Sequence, residues 1–210
     1  MYGQFLSSKH SSQNVYCAFW KIFLSVLILI FGLQSWTKAD DIKDFEIEGM
    51  SVGESLLNYF NKKDIESKKR TYYPKSDKYY IISFGYEDFY ETYEVTQFVL
   101  KSNDKKYIIH SVSGKLLFQD NFSGCNKKKD IIGKEISEIF DMEPQIDDGD
   151  ILKADSSGKS ISNSLSYFFE NGDVIMIDCS DWSEETNFYD NLKVVILPNY
   201  VNQWILNEAY

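Results

Sequence analysis

Past residue 39 the chain holds one histidine, His110, and two cysteines, Cys125 and Cys179, the natural starting points for nucleophilic chemistry. A catalytic imidazole needs a nucleophile within hydrogen-bond reach and a carboxylate to orient its second nitrogen. His110 sits in the run KYIIHSVS, whose pattern is that of a strand, so it reads as a half-buried strand histidine with a local hydrogen bond. Two carboxylate groups stand out. Asp147, Asp148 and Asp150 surround Gly149, where oxygen ligands on a flexible loop would suit Ca²⁺. Their spacing is not that of a helix–loop–helix calcium loop, so they read as solvated turn residues. Asp178, Asp181, Glu184 and Glu185 form the second group, and paired carboxylates can do general acid–base work. In a chain with 32 acidic residues such pairs arise from composition alone. Zinc spacings, a phosphate loop, a G-x-G-x-x-G fingerprint and a G-x-S-x-G elbow are all missing. No catalytic residue, metal site or cofactor is therefore expected.

Binding chemistry has a better candidate. Tyr72, Tyr73, Tyr79, Tyr80, Tyr86, Tyr90 and Tyr93 crowd one region with Phe84 and Phe89. Such rings either replace Leu in a core or mark a recognition surface. The segment 85–92, GYEDFYET, is the best local contact patch, with Tyr86, Phe89 and Tyr90 as its candidate binding residues.

Residues 22–33, IFLSVLILIFGL, carry no charge and follow Lys21. A short apolar run behind a basic, acid-free leader is the pattern of a signal peptide, with a small-residue cleavage site at Ala39. Spanning a bilayer takes about 20 apolar residues. Retention as an anchor is the alternative, and the basic end stays inside in either case. Lys9, Lys21 and Lys38 lie in the acid-free leader, so residues 40–210 set 19 basic against all 32 acidic residues, a net of −13. That charge repels phosphate backbones and anionic lipid, so no nucleic-acid partner is expected and membrane contact is confined to the N-terminal segment. In an exported product Cys125 and Cys179 could form one disulfide, closing a loop of about 50 residues worth about 4 kcal/mol. Two separate buried thiols are the alternative.

The elements that would position these groups follow from periodicity. Ser51 and Glu54 have the capping-box spacing, and Leu56, Leu57, Tyr59 and Phe60 predict a helix over 52–62. A charged stretch with Pro74, residues 64–78, reads as a loop. Strands are predicted over 79–84, 93–101 and 106–113, the last ended by Gly114 and continued over 116–119 after a kink. Ile131, Ile132, Ile136, Ile139 and Phe140 predict an amphipathic helix, broken by Pro144 and the aspartates after it. Residues 155–163 read as an exposed loop. Strands over 164–170 and 173–179 flank Asn171-Gly172, a hairpin signal of the type I′ kind. A strand over 193–197 and a helix over 200–209 close the chain. The order α-βββ-α-βββ-α suggests duplicated units in an α+β domain, an antiparallel sheet with helices on one face and a C-terminal helix. Residues 1–39 would be leader and signal, and 40–210 a single exported domain.

Two resemblances accompany this pattern. Ile47-Glu48-Gly49-Met50-Ser51 before a helix and sheet is similar to the I-x-G-M-[ST] opening of the outer-membrane-assembly lipoproteins of the SmpA/BamE kind. The lipid-attachment cysteine of those lipoproteins is absent here. The segments DFEIEGMSVGESLLNYF, TQFVLKSNDKKYIIHSVSGKL and CNKKKDIIGKEI resemble a group of uncharacterised exported proteins of AT-rich marine bacteria. That resemblance implies export and a shared fold but transfers no site residue. The expected function is a non-catalytic binding or interaction module of the periplasm or envelope, taking a protein or a small ligand there. The alternatives are a carboxylate-dependent hydrolase around Asp178–Glu185, or a tethered structural protein if the apolar run is retained.

Overall fold

Eight strands form one antiparallel sheet in the computed structural model, which describes residues 42–85, 92–119, 121–153 and 155–210. The apolar run 22–33 and the contact candidates Tyr86, Phe89 and Tyr90 lie outside the described residues. The strands are β1 (Thr71–Tyr73), β2 (Ser76–Gly85), β3 (Val95–Lys101), β4 (Ile109–Leu117), β5 (Gln145–Ile151), β6 (Ile161–Phe168), β7 (Val174–Asp181) and β8 (Asn191–Leu197). Their order is β1-β2-β3-β4-β8-β7-β6-β5, so two four-stranded meanders meet through β4 and β8. A helix precedes each meander: α1 (Lys62–Ser67) and α2 (Phe122–Phe140). A last helix, α3 (Asn199–Trp204), widens into a π-turn over Ile205–Ala209. The class is α+β, as the periodicity predicts, with four strands per unit where three are expected.

The additional strands are the two edges. β1 lies within the segment read as a loop, and β5 contains the aspartates read as turn residues. Both pair on one side only, and β5 is almost wholly exposed, so neither has the alternating burial that marks a strand in sequence. A register shift at Gly149 lets β5 absorb Asp147, Asp148 and Asp150 as a bulged edge.

Alternation divides the sheet into two faces. Tyr80, Ile82, Phe84, Phe98, Leu100, Val112, Tyr167, Ile177, Val194 and Ile196 are buried on one, beneath α1, α2 and residues 42–56. Tyr79, Val99, Val201 and Trp204 form a smaller cluster on the other, where α3 packs. The predicted helix over 52–62 is replaced by a turn, a short 3₁₀ helix over Leu56–Asn58, and α1. Glu54 does accept from the Ser51 N–H at 3.1 Å, the acidic half of a capping box. However, Glu54 O accepts from Ile109 N–H at 2.8 Å, and Leu56 N–H donates to Tyr107 O at 2.9 Å. Those bonds bind the segment to the start of β4, and the sheet wins its backbone groups from the helix.

Helix α2 starts nine residues before its predicted isoleucine stripe, at an Asn121 N-cap whose side chain accepts from Gly124 N–H at 2.9 Å. Its buried face is Cys125, Lys129, Gly133, Ile136 and Phe140, while Ile131 and Ile139 are exposed. Lys129 is buried along its stem, and its ammonium lies 3.8 Å from Asp148 on β5. Tyr167 O–H donates to Gly133 O at 2.6 Å, tying the helix to β6.

Gly114 does not end a strand. A Cβ there would stand 2.4 Å from Cγ of Tyr93, whose ring lies across the glycine. The Asn171-Gly172 hairpin forms, but not with a type I′ turn. Gly172 N–H donates to Phe169 O at 2.9 Å, Gly172 has φ +84° and Asn171 is not in the left-handed region. This is a type I turn followed by a glycine bulge. Residues 155–160 are held and not loose. Asp155 is buried, and its carboxylate accepts from Ser157, from the N–H and hydroxyl of Ser160, and from the Ser183 hydroxyl. These donors hold its carboxyl far below the usual carboxylate range.

Cys125 and Cys179 are bonded, with Cα atoms 5.9 Å apart, joining α2 to β7. With 54 residues of sequence separation, reduction is expected to remove about 4 kcal/mol of stability. Urea titrations of oxidised and reduced protein measure this; coincident midpoints would refute it. Gly114→Ala is expected to cost about 1–3 kcal/mol, because the Tyr93 ring must leave its packed position. Its thermal midpoint, compared with that of the Tyr93→Ala, Gly114→Ala double variant, separates steric clash from loss of strand pairing.

Candidate functional site: the uncovered side of the sheet

The side of the sheet that carries α3 is otherwise unroofed by described residues, and its floor is set by register. Val95, Lys115, Lys193, Asp178 and Ser164 stand opposite one another across five strands. The next row is Gln97, Ser113, Val195, Met176 and Ser166; after it come Val99 and Ser111, then Leu197, Val174 and Phe168 on the other half. Small serines lie low among longer neighbours, and Ser113, Ser162, Ser164 and Ser166 are buried. Ser111 donates to Ile196 O at 2.7 Å, within the sheet itself.

Helix α3 supplies the wall. Its entry is latched by the β6–β7 hairpin: Asn199 N–H donates to Asp173 Oδ1 at 2.7 Å, and Asn199 Nδ2 donates to Asn171 O at 2.9 Å. Its end is held where Lys75 N–H donates to Ala209 O at 3.1 Å. Trp204 anchors it, 4.8 Å from both Tyr73 and Tyr79 in edge-on geometry. Between this wall and the floor lies a cleft of ≈ 450 Å³, lined at one end by Phe168, Met176, Leu197, Ile205 and Leu206 and at the other by Lys193 and Ser113. Its lining residue Ile205 begins the π-turn, a feature that often accompanies functional sites.

The charged row is the electrostatic feature of the floor. Lys115 and Lys193 are directly opposed like charges, an arrangement that costs stability. Burial pushes the Lys193 ammonium down to about 8, helped by Lys115 and opposed by Asp178. Burial also lowers Lys115 and raises Asp178, which accepts from the Ser180 hydroxyl at 2.7 Å. Among the described residues neither ammonium has a hydrogen bond, or a carboxylate within 4.0 Å.

No match is found among protein-family models, curated proteins or solved structures. The site's own chemistry must therefore carry the functional argument.

The residues singled out in the sequence scatter. His110 is a half-buried strand histidine whose Nδ1 lies 2.8 Å from the Tyr200 hydroxyl, and burial lowers its pKa. It ties β4 to α3 and faces no thiol, because both cysteines are bonded to each other. Asp178 is on the sheet floor, whereas Glu184 and Glu185 lie in an exposed 3₁₀ turn, with Glu185 paired to Lys159. Among the described residues no group of three or more His, Cys, Asp or Glu is placed to hold a metal ion, Asp147, Asp148 and Asp150 included. Of the tyrosines, Tyr79 and Tyr80 are buried on opposite faces, and Arg70 stacks 4.7 Å over Tyr80.

Alternation could have found half of the cleft. Ser162, Ser164 and Ser166 alternate with buried Leu165 and Tyr167, which marks an unroofed strand face. The meeting of Lys115 with Lys193 depends on β4–β8 pairing across nearly eighty residues, and no local signal reports it.

Stability is expected to rise with pH between about 8 and 10. There the unfolded chain still carries the Lys193 proton, while the folded chain, with Lys115 and Asp178 around that amine, has released it. Above 10 the sign reverses, because burial pushes Tyr73 and Tyr93 up to about 12 and the unfolded phenols ionise first. Urea midpoints at pH 7, 8.5 and 9.5 check this. The rise should shrink in Lys193→Met, leaving the smaller contribution of Lys115, and an unchanged rise there would assign it to another group.

Proposed function

We propose that the chain is an exported, non-catalytic binding module whose ligand lies in the cleft between α3 and the unroofed sheet. The carrying observation is the cleft: ≈ 450 Å³, concave, mainly apolar, with a few convergent polar groups at one end. Small-molecule sites are of this size and composition. Its polar end offers Ser hydroxyls and the Lys193 ammonium, with Lys115 opposite Lys193 on the neighbouring strand. Export rests on the leader and apolar run of residues 22–33, and a disulfide between Cys125 and Cys179 suits an oxidising compartment. No helix among the described residues is long and apolar enough to cross a membrane.

The neutral fluorophore N-phenylnaphthylamine tests the cleft. Its fluorescence should rise on the native protein. Phe168→Asp and Leu206→Asp, both at exposed cleft positions, should weaken that binding about tenfold or more without altering the circular dichroism spectrum. Binding that ignores both substitutions places the ligand elsewhere. The mass of the protein recovered from the cell envelope tests export. A chain beginning at Asp40 is expected; full-length protein, Met1 included, in the cytosolic fraction would refute it.

A further inference from the structure

Resting on the cleft reading above, we propose that the ligand is a monocarboxylate with an unbranched apolar chain, its head at Lys193 and Lys115 and its tail along Val195 and Leu197 toward α3. Three observations carry it. First, the charge count at the head is right for one negative charge. Lys115, Lys193 and Asp178 are consecutive across three strands, leaving a net of one positive charge on the floor of a domain whose overall balance is strongly acidic. Secondly, the two ammonium groups have no hydrogen bond and no ion pair within 4.0 Å among the described residues, although both side chains are half-buried. Asp178 is held instead by Ser180. Opposed lysines on a sheet floor repel, and a carboxylate between them converts that repulsion into two charge-assisted hydrogen bonds.

Thirdly, polarity falls along β7 and β8 away from the charged row. From Lys193 the same face of β8 runs through Val195 to Leu197, and β7 runs in parallel rows from Asp178 through Met176 to Val174. Four residues of strand give a two-strand apolar track of about 13 Å, flanked by Ser113 on β4 and Ser166 on β6. It ends beneath Ile205 and Leu206, which line the cleft from the wall. A compact polar solute would leave this floor uncovered. A dianionic phosphate head would bring more negative charge than the row neutralises. The burial that lowers the Lys193 amine also makes pairing with an anion more favourable than at an exposed lysine.

Titration calorimetry of the purified, delipidated protein with decanoate, decanol and decyl phosphate tests the assignment. Decanoate should bind, with decanol about tenfold weaker or more, as expected when a charge-assisted hydrogen bond is lost. Lys193→Met and Lys115→Met should each bring decanoate toward the affinity of decanol and leave decanol unchanged. Lys193→Arg, which keeps the charge, should retain most of the preference and guards against a folding artefact. Decanol binding as tightly as decanoate, decyl phosphate binding more tightly than either, or Lys→Met variants indistinguishable from the parent would each overturn the carboxylate assignment while leaving the cleft reading intact. Failure of all three ligands with N-phenylnaphthylamine still bound in a Phe168-dependent way overturns this proposal alone; failure of the fluorophore as well overturns both. A co-purifying protein whose footprint covers Lys193 would also overturn it, replacing the small ligand by a macromolecule.

Discussion

The antiparallel pairing of β4 with β8 is the contact on which the rest of the molecule depends. It closes a connection of more than seventy residues and turns two meanders into one continuous sheet. Without it each half would be a four-stranded sheet with an open inner edge, and unpaired strand edges invite association with other chains. Central strands bury both neighbours, and β8 is accordingly the most apolar strand in the chain. The same pairing sets Lys115 opposite Lys193, so the feature that completes the fold also creates its most costly juxtaposition.

The two faces of the sheet are covered unequally by the described residues. One face is covered: α2, α1 and residues 42–56 pack over Phe84, Phe98, Tyr167 and Val194, and the disulfide binds helix to strand. The other is partly dressed by a single helix that touches the sheet through Trp204 and Val201 and is latched at both ends by hydrogen bonds.

Legibility in the sequence followed locality. The interior strands, the Asn171-Gly172 hairpin, the C-terminal helix and the α+β class were all readable, because each rests on periodicity or on turn residues within a few positions. Three kinds of error had physical causes. β1 and β5 escaped because an edge strand lacks alternating burial. The helix over 52–62 was misread because β4 competes successfully for the backbone of Glu54 and Leu56. The stripe on α2 was misplaced because small or masked residues, Cys125, Gly133 and the stem of Lys129, fill half of its buried face. Of the candidate site, the serine alternation on β6 was visible in principle, but the lysine row was not, since it is assembled from strands far apart in the chain.

Cys179 is the immediate neighbour of Asp178 on β7, so the two side chains leave the strand on opposite sides. The sulfur bridge therefore acts as a rivet from behind, clamping to α2 the very stretch of backbone whose front bears the carboxylate between hydroxyl and ammonium groups. A copy of the chain folded where thiols stay reduced would keep its outline yet lose that rivet, and its charged row would be set on a floor free to flex. Oxidation thus couples the helix at the rear to the charged row at the front, because the bonded cysteine lies on the same strand as Asp178.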